Sequence, residues 1–490
     1  MDDRAFPGGG TAAEATGPAE PDGTVRNGFR VESDSLGKVR VPADRYWGAE
    51  TQRCLTYLSV GENHPFPKEV IEALALLKKA AALANLDCGV LAEDKARLIV
   101  RAASEVEEGK LSESFPLHIF TSGSGTQINM NVNEVIANRA IELAGGVLGT
   151  RQPVHPNDHV NMSQSTNDIF PSAVHAAIVR ACLGRLSPCL AELRDALSEK
   201  AELWADIPKI GRTHLMDALP LMLGAEFSGY AAMLDDGLER IRLALPALYR
   251  LPVGGTAVGT GFGAPEGFAQ KAVARLAAAT GLPFVCAPNR FALQGAHDAI
   301  VMMSGVLRTI AVSLHKIAED IRLLGSGPRC GIQELALPAN EPGSSMMPGK
   351  INPTQCESLA MVAVQVMAYD SAVAMAGAGG SLEMNAYKPV MAFNIMQSIR
   401  LISDSCLNFA RFCISGLEPN RGRIEEHLHR SLMLATALTP VIGHDRASQV
   451  ALLARREDVS LREAAVRLGY LSAEEFDRLV DPKAMARTKA

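Results

Sequence analysis

The stretch Ile300-Val-Met-Met-Ser-Gly-Val-Leu-Arg-Thr-Ile-Ala-Val-Ser-Leu-His-Lys-Ile-Ala-Glu-Asp-Ile-Arg-Leu-Leu324 decides the fold. Apolar residues recur at Met303, Val306, Ile310, Leu314, Ile317, Ile321 and Leu324. The steps are three or four, as one face of an α-helix requires. Arg308, Lys316, Glu319, Asp320 and Arg322 fall on the other faces. Similar runs occupy 68–86, 93–109, 171–205, 220–245, 355–375 and 388–415. Strands do not alternate with helices, so no parallel sheet is implied. The expected fold class is mainly α, with long antiparallel helices and active-site loops between them.

Residues 29–60 mix Pro, Gly and charges without a period and read as short strands or loops. Pro419-Asn-Arg-Gly422 reads as a linker, after which short helical and turn segments alternate. The expected organisation is a disordered tail at 1–28, an N-terminal domain at 29–164, a central helical-bundle domain at 165–422 and a C-terminal domain at 423–490.

Composition narrows the function classes. Aromatics make up only 5% of the chain, so Ala, Leu, Val, Ile and Met must build the core. A formal net charge of -6 argues against a nucleic-acid partner but leaves room for a locally positive site. The nine cysteines show no Cys-x-x-Cys spacing and read as reduced, mostly buried thiols. No uninterrupted apolar stretch reaches membrane-spanning length, so no membrane partner is expected. The first 28 residues carry Asp2, Asp3, Glu14, Glu20 and Asp22 against Arg4 and Arg26, unlike an Arg-rich presequence. A cytoplasmic protein is expected.

Four polar segments interrupt the helices. Loops held by a rigid scaffold are where reactive groups usually lie. In Thr121-Ser-Gly-Ser-Gly-Thr-Gln-Ile-Asn-Met-Asn-Val-Asn-Glu134, Ser124, Gly125, Thr126 and Asn129 offer neutral donors and close backbone approach. The same residues would also serve as a plain helix N-cap. In His155-Pro-Asn-Asp-His-Val-Asn-Met-Ser-Gln-Ser-Thr-Asn-Asp168, the histidines and aspartates lack the ligand spacing of a closed zinc site, so no metal is expected. Ser165, Thr166 and Asn167 again precede a helix as uncharged donors. Gly211-Arg-Thr-His-Leu-Met-Asp217 contains His214, a residue type suited to general acid–base work. Gly343-Ser-Ser-Met-Met-Pro-Gly-Lys-Ile-Asn-Pro-Thr-Gln-Cys-Glu357 joins Lys350 and Asn352, suited to carboxylates, to glycines that make a lid plausible. Gly259-Thr-Gly261-Phe-Gly-Ala264 mimics a dinucleotide fingerprint, but no convincing strand precedes it and Pro265 follows.

Together, in this order, the four segments resemble those of class II fumarases in the fumarase/aspartase superfamily. The resemblance runs from Ser33-Asp-Ser-Leu-Gly37 to Glu475-Phe-Asp477. It implies a central long-helix bundle, four subunits sharing a twenty-helix core, and composite active sites formed in the homotetramer. It also implies reversible hydration of fumarate to L-malate, a tricarboxylic acid cycle reaction, with no cofactor. Aspartate ammonia-lyases share the signature loop. They typically carry Gln where this chain has His214, so an ammonia-lyase remains the alternative, with a non-catalytic helical homologue as a second.

By the same resemblance, Ser344 is the base that removes the carbon-bound proton, His214 the acid that assists the leaving hydroxyl through water, and Glu357 the carboxylate that orients His214. Ser124, Gly125, Thr126, Ser165, Thr166, Asn167, Thr213, Ser345, Lys350, Ile351 and Asn352 would bind the dicarboxylate. His155, Pro156, Asn157 and Asp158 match the family's second dicarboxylate site. Met216, Met162, Gln152 and Thr121-Ser122 depart from the residues common there, which bears on accessory-site binding more than on the reaction.

Overall fold

The computed structural model describes residues 21–487. Residues 1–20 of the expected tail lie outside the described residues. From residue 21 the chain already has structure. Val25–Arg26 pairs antiparallel with Phe29–Arg30. Asn27 and Gly28 turn the corner at φ 51° and 76°. Two left-handed residues in succession make the turn whose twist suits a hairpin, and Asn-Gly is its preferred sequence.

The chain forms two compact units. One runs up to Ala173 and includes Pro252–Phe291. Its strands Phe29–Asp34 and Gly37–Pro42 pair in register. Arg30, 1% exposed, locks them by donating to Glu32 and to the carbonyls of Pro42 and Trp47. The Ala-rich helix Lys68–Asp87 packs against both Glu93–Glu107 and Phe268–Thr280. Small side chains permit this close approach on two sides. The helix Thr126–Leu143 buries Asn129, Asn131, Asn133, Glu134 and Asn138 among its apolar residues. Burial pushes the Glu134 carboxyl up to about 7, although Thr51 and the backbone N–H groups of Gly48 and Glu50 donate to it.

The other unit contains Val174–Leu251 and the chain from Ala292 onward. Five helices close a ring of neighbours: Ser187–Leu203, Leu223–Leu248, Asp298–Leu324, Thr354–Gly377 and Lys388–Phe409. The buried face of Asp298–Leu324 runs through Met303, Leu307, Ile310, Leu314, Ile317, Ile321 and Leu324. Leu307 is buried where the sequence pattern pointed to Val306, which is half-buried. Steps of four and three then alternate without interruption, which keeps one narrow seam facing the neighbours. Between this helix and Thr354–Gly377, buried Asp370 accepts from Ser304 (2.7 Å) and Arg308 (2.8 Å). The chain end packs its own small cluster around Leu434, Leu438, Val450, Leu461, Ala464 and Phe476.

Thr166–Leu203, Asp298–Leu324 and Thr354–Gly377 are, by length and composition, long and apolar enough to cross a membrane. The sequence reading looked for uninterrupted apolar runs, whereas these helices reach high hydropathy with scattered polar residues. Thr354–Gly377 leaves Met361, Val364 and Met375 between 58% and 76% exposed.

Candidate active site

In the first unit, the first two polar segments meet. Gly125 ends the first loop at φ 85°, and a Cβ there would sit 2.6 Å from the Phe170 ring. Only glycine allows that approach. Ser124 is buried, and its hydroxyl lies 2.7 Å from those of both Ser122 and Thr126. No side chain caps the helix Thr126–Leu143. The hydroxyls therefore bond one another instead of the helix terminus, which differs from the simple N-cap reading. A helix N-terminus without a side-chain cap favours an anion.

The second segment leads into the helix starting at Thr166. Asp168 is fully buried and accepts from the backbone N–H groups of Ser165 (2.9 Å), Gly254 (2.9 Å) and Thr256 (3.1 Å). Burial pushes its carboxyl up to about 6 against those donors. Asn167 donates to the Ala257 carbonyl. The two segments join where the Asn129 amide donates to the Thr166 hydroxyl at 3.0 Å.

His155 occupies a different corner. Its Nδ1 accepts from the backbone N–H groups of Asn157 and Asp158, so that nitrogen carries no proton. Burial lowers its pKa, partly countered by Asp158. His155, Pro156 and Asn157 line a cavity of about 150 Å³ together with Glu32, Asp34, Glu50, Glu134 and Arg151. This wall is acidic, which sets it against a dianion. Burial pushes both Glu50 and Glu134 up, which lessens the negative charge the wall carries.

In the second unit, residues 211–217 form the tip of a β-hairpin. Pro208–Thr213 pairs with Met216–Met222, and His214-Leu215 is the two-residue turn. Both turn residues have positive φ, 58° and 62°. Such turns prefer Asn-Gly, and a bulky side chain there is strained. His214 is exposed and makes no hydrogen bond or ion pair among the described residues. Buried charge holds the hairpin just below its turn. Fully buried Glu334 receives Arg212 (2.7 Å), Lys209 (3.2 Å) and His427 (3.2 Å). Burial raises the Glu334 pKa, but Arg212 and Lys209 outweigh it and leave the carboxyl below its ordinary value.

The fourth segment is a closed loop. The Gly343 N–H donates to the Lys350 carbonyl (2.8 Å), and the Asn352 amide donates to the Gly343 carbonyl (2.6 Å). A Cβ on Gly343 would lie 2.7 Å from backbone atoms of both Lys350 and Asn352. Inside the loop, the Ser344 hydroxyl oxygen accepts from the N–H groups of Met346 (3.2 Å) and Met347 (3.0 Å). Lys350, Ile351 and Asn352 line a cavity of about 420 Å³ with Arg322, Ser326 and Gln333. Ser345, Lys350 and Ile351 are exposed, and Lys350 is unpaired among the described residues. Glu357 pairs with Arg322 at 3.5 Å and makes no bond to His214 within this chain. Thr213 and His214 also make no bond to the 343–352 loop.

Sequence reasoning missed Lys78. It lies on an Ala/Leu-rich helix, where a lysine reads as a solvated stem, yet it is fully buried and donates to Asn161 (2.8 Å) and Gln164 (3.0 Å).

This mainly α fold, with its loops rich in carboxylate donors, has close counterparts. Residues 37–368 match the model of a lyase family, and residues 434–487 match the model of a fumarase C C-terminus. A class II fumarate hydratase of Thermosynechococcus vestitus is 58% identical over 92% of this chain and 96% of its own length. Another, of Methanosarcina acetivorans, is 54% identical over 95% and 96%. The crystal structure of the class II fumarase of Schistosoma mansoni superposes with a TM-score of 0.91 at 42% identity, covering 94% of this chain and 99% of that one. The chain belongs to the class II fumarate hydratase family of lyases.

Proposed function

We propose that this chain catalyses the reversible hydration of fumarate to L-malate, as a hydro-lyase acting on a small dicarboxylate. The observation that carries the reading is the Ser344 hydroxyl, whose oxygen receives two backbone N–H groups in the loop that also presents Lys350 and Asn352. Donors aimed at an oxygen favour its anionic form. In the dehydration direction, Ser344 takes the proton from the carbon next to a carboxylate. The electron pair spreads into that carboxylate, which Lys350 and Asn352 stabilise. The carbon–oxygen bond on the neighbouring carbon then breaks, and the leaving hydroxyl takes a proton supplied by His214 through water. Thr126, Ser165, Thr166, Asn167 and Thr213 hold the substrate carboxylates, with Ser124, Gly125, Ser345 and Ile351 shaping the site.

The site is composite in this reading. His214 stands unpaired on its hairpin and Glu357 faces Arg322, so the His214–Glu357 pair forms between copies of the chain. The exposed apolar residues of Thr354–Gly377 support a homotetramer with a shared helical core. A further dicarboxylate position at His155, Pro156, Asn157 and Asp158 would depend on Arg151 and on protonated neighbours. We place the protein in the cytoplasm and in the tricarboxylic acid cycle.

The test incubates the purified protein with L-malate and with L-aspartate while fumarate absorbance is followed. Fumarate from malate alone supports the reading. Fumarate from aspartate alone makes the chain an ammonia-lyase, and fumarate from neither, in folded protein, overturns enzyme function.

A further inference from the structure

The helix Lys68–Asp87 turns one face to the loop before Thr166. Lys78 donates from Nζ to the side-chain oxygens of Asn161 and Gln164. Two turns further on, Asn85 donates to the Met162 carbonyl and accepts from the Ser163 hydroxyl. All of the polar atoms of residues 161–164 named here are thus held from one helix. Lys78 is 0% exposed, so the burial of its amino group has to be offset by these bonds.

The direction of each bond matters. An ammonium group donates and cannot accept. Lys78 therefore makes acceptors of Oδ1 of Asn161 and Oε1 of Gln164, an orientation that agrees with the donation of their amide nitrogens to the carbonyls of Gln164, Val160 and Met162. Oδ1 of Asn161 also accepts from Nδ2 of Asn129 at 3.4 Å. The same Nδ2 donates to Oγ1 of Thr166 at 3.0 Å. With its oxygen receiving that bond, the Thr166 hydroxyl has its own proton left to donate elsewhere. Flipping Asn129 would turn its carbonyl toward Thr166 and toward the Asn161 oxygen, and two oxygens would then face each other. Lys78 forbids that arrangement by holding Asn161 as it is. A neutral amine would retain two N–H groups, one for each oxygen, but would gain a lone pair, so the strict exclusion belongs to the ammonium form.

We propose that Lys78 is a positioning residue that, through Asn161 and Asn129, sets the Thr166 hydroxyl as a hydrogen-bond donor toward a substrate carboxylate. The proposal rests on the functional reading above, in which Thr166 binds the dicarboxylate.

The experiment is steady-state kinetics with fumarate and L-malate on the assembled full-length protein. Four variants are compared: Lys78→Met, Thr166→Val, Asn129→Asp and the double variant Lys78→Met with Thr166→Val. Lys78→Met and Thr166→Val are each expected to raise KM by about tenfold, the size of one lost hydrogen bond to a charged group, with kcat falling less than KM rises. The double variant is expected to match Thr166→Val alone, because Lys78 acts through that hydroxyl. A KM within about twofold of the parent for folded Lys78→Met overturns the proposal, as do losses that multiply in the double variant. Should Lys78→Met fail to fold, Asn129→Asp answers the same question. Its added acceptor captures the Thr166 proton, so KM should rise at least as far, and an unchanged KM there overturns the proposal. An unchanged KM for Thr166→Val has a separate meaning. It removes Thr166 from substrate binding, overturning that part of the functional reading and the proposal with it.

Discussion

The backbone N–H of Met347 points at the hydroxyl oxygen of Ser344 across 3.0 Å, with the Met346 N–H beside it at 3.2 Å. A serine alkoxide is unfavourable in water. Here the loop supplies its solvation in advance, with no reorganisation when the proton moves. Ser344→Ala should therefore lower malate dehydration by roughly two to four powers of ten, the usual worth of a general base. The closing bonds of Gly343, Lys350 and Asn352 do not use the hydroxyl, so circular dichroism and thermal stability should stay close to the parent. Retained turnover in the folded variant would take Ser344 out of the reaction.

His214 is held at φ 58° on a two-residue turn. Asn is the residue that such a two-residue turn prefers at its first position. His214→Asn should consequently fold as well as the parent or better, while turnover falls by roughly two to four powers of ten. A thermal melt and a malate assay on one preparation separate the two effects. Turnover near the parent's would disprove the acid role.

Leu215 carries the same strain without a chemical role in the proposed reaction. Leu215→Gly should raise the melting temperature, because a bulky left-handed residue costs about 1 kcal/mol. The side chain is 70% exposed, so little packing is lost in exchange. A lowered melting temperature would show that Leu215 makes a contact that this chain alone lacks.

Glu334 anchors the hairpin through Arg212 and Lys209 and ties it to His427 of the helix Arg421–Arg430. Glu334→Gln leaves Arg212 without its carboxylate, while Lys209 keeps Glu226 at 2.8 Å, and should destabilise the protein by on the order of 3 kcal/mol at neutral pH. The sign with pH follows from its lowered pKa. The stabilisation is complete above the ordinary carboxylate range, near about 4.3, and is lost as pH falls through the folded value. The gap between parent and variant in urea melts should narrow on acidification. A gap that widens would contradict this account.

Much of this was legible in the residues. The 300–324 repeat specified a long helix and its buried side, with Leu307 taking the place of Val306 because a seam between neighbours follows alternating steps of four and three. Asn27-Gly28 was a hairpin signal hidden in a segment whose composition spoke of disorder. The hairpin around His214 escaped because Pro208, Gly211 and Pro220 break the alternation that marks strands, and its turn uses residues that such turns disfavour. Glycines in the 343–352 loop suggested mobility. Gly343 is instead required where two backbone segments nearly touch. Lys78 was invisible because its meaning depends on a partner loop some eighty residues away, and local periodicity contains no such information.

The helix Thr354–Gly377 has a further consequence for the life of the chain before it is mature. Only a third of its most apolar window is covered within one copy. If the proposed homotetramer covers this face, a newly made copy would display an apolar surface until it meets its partners, and such surfaces invite aggregation or capture by chaperones. Synthesis of neighbouring copies on one message would shorten that exposure. Yield in a heterologous host should thus depend on how densely ribosomes load the transcript as well as on the stability of the finished fold.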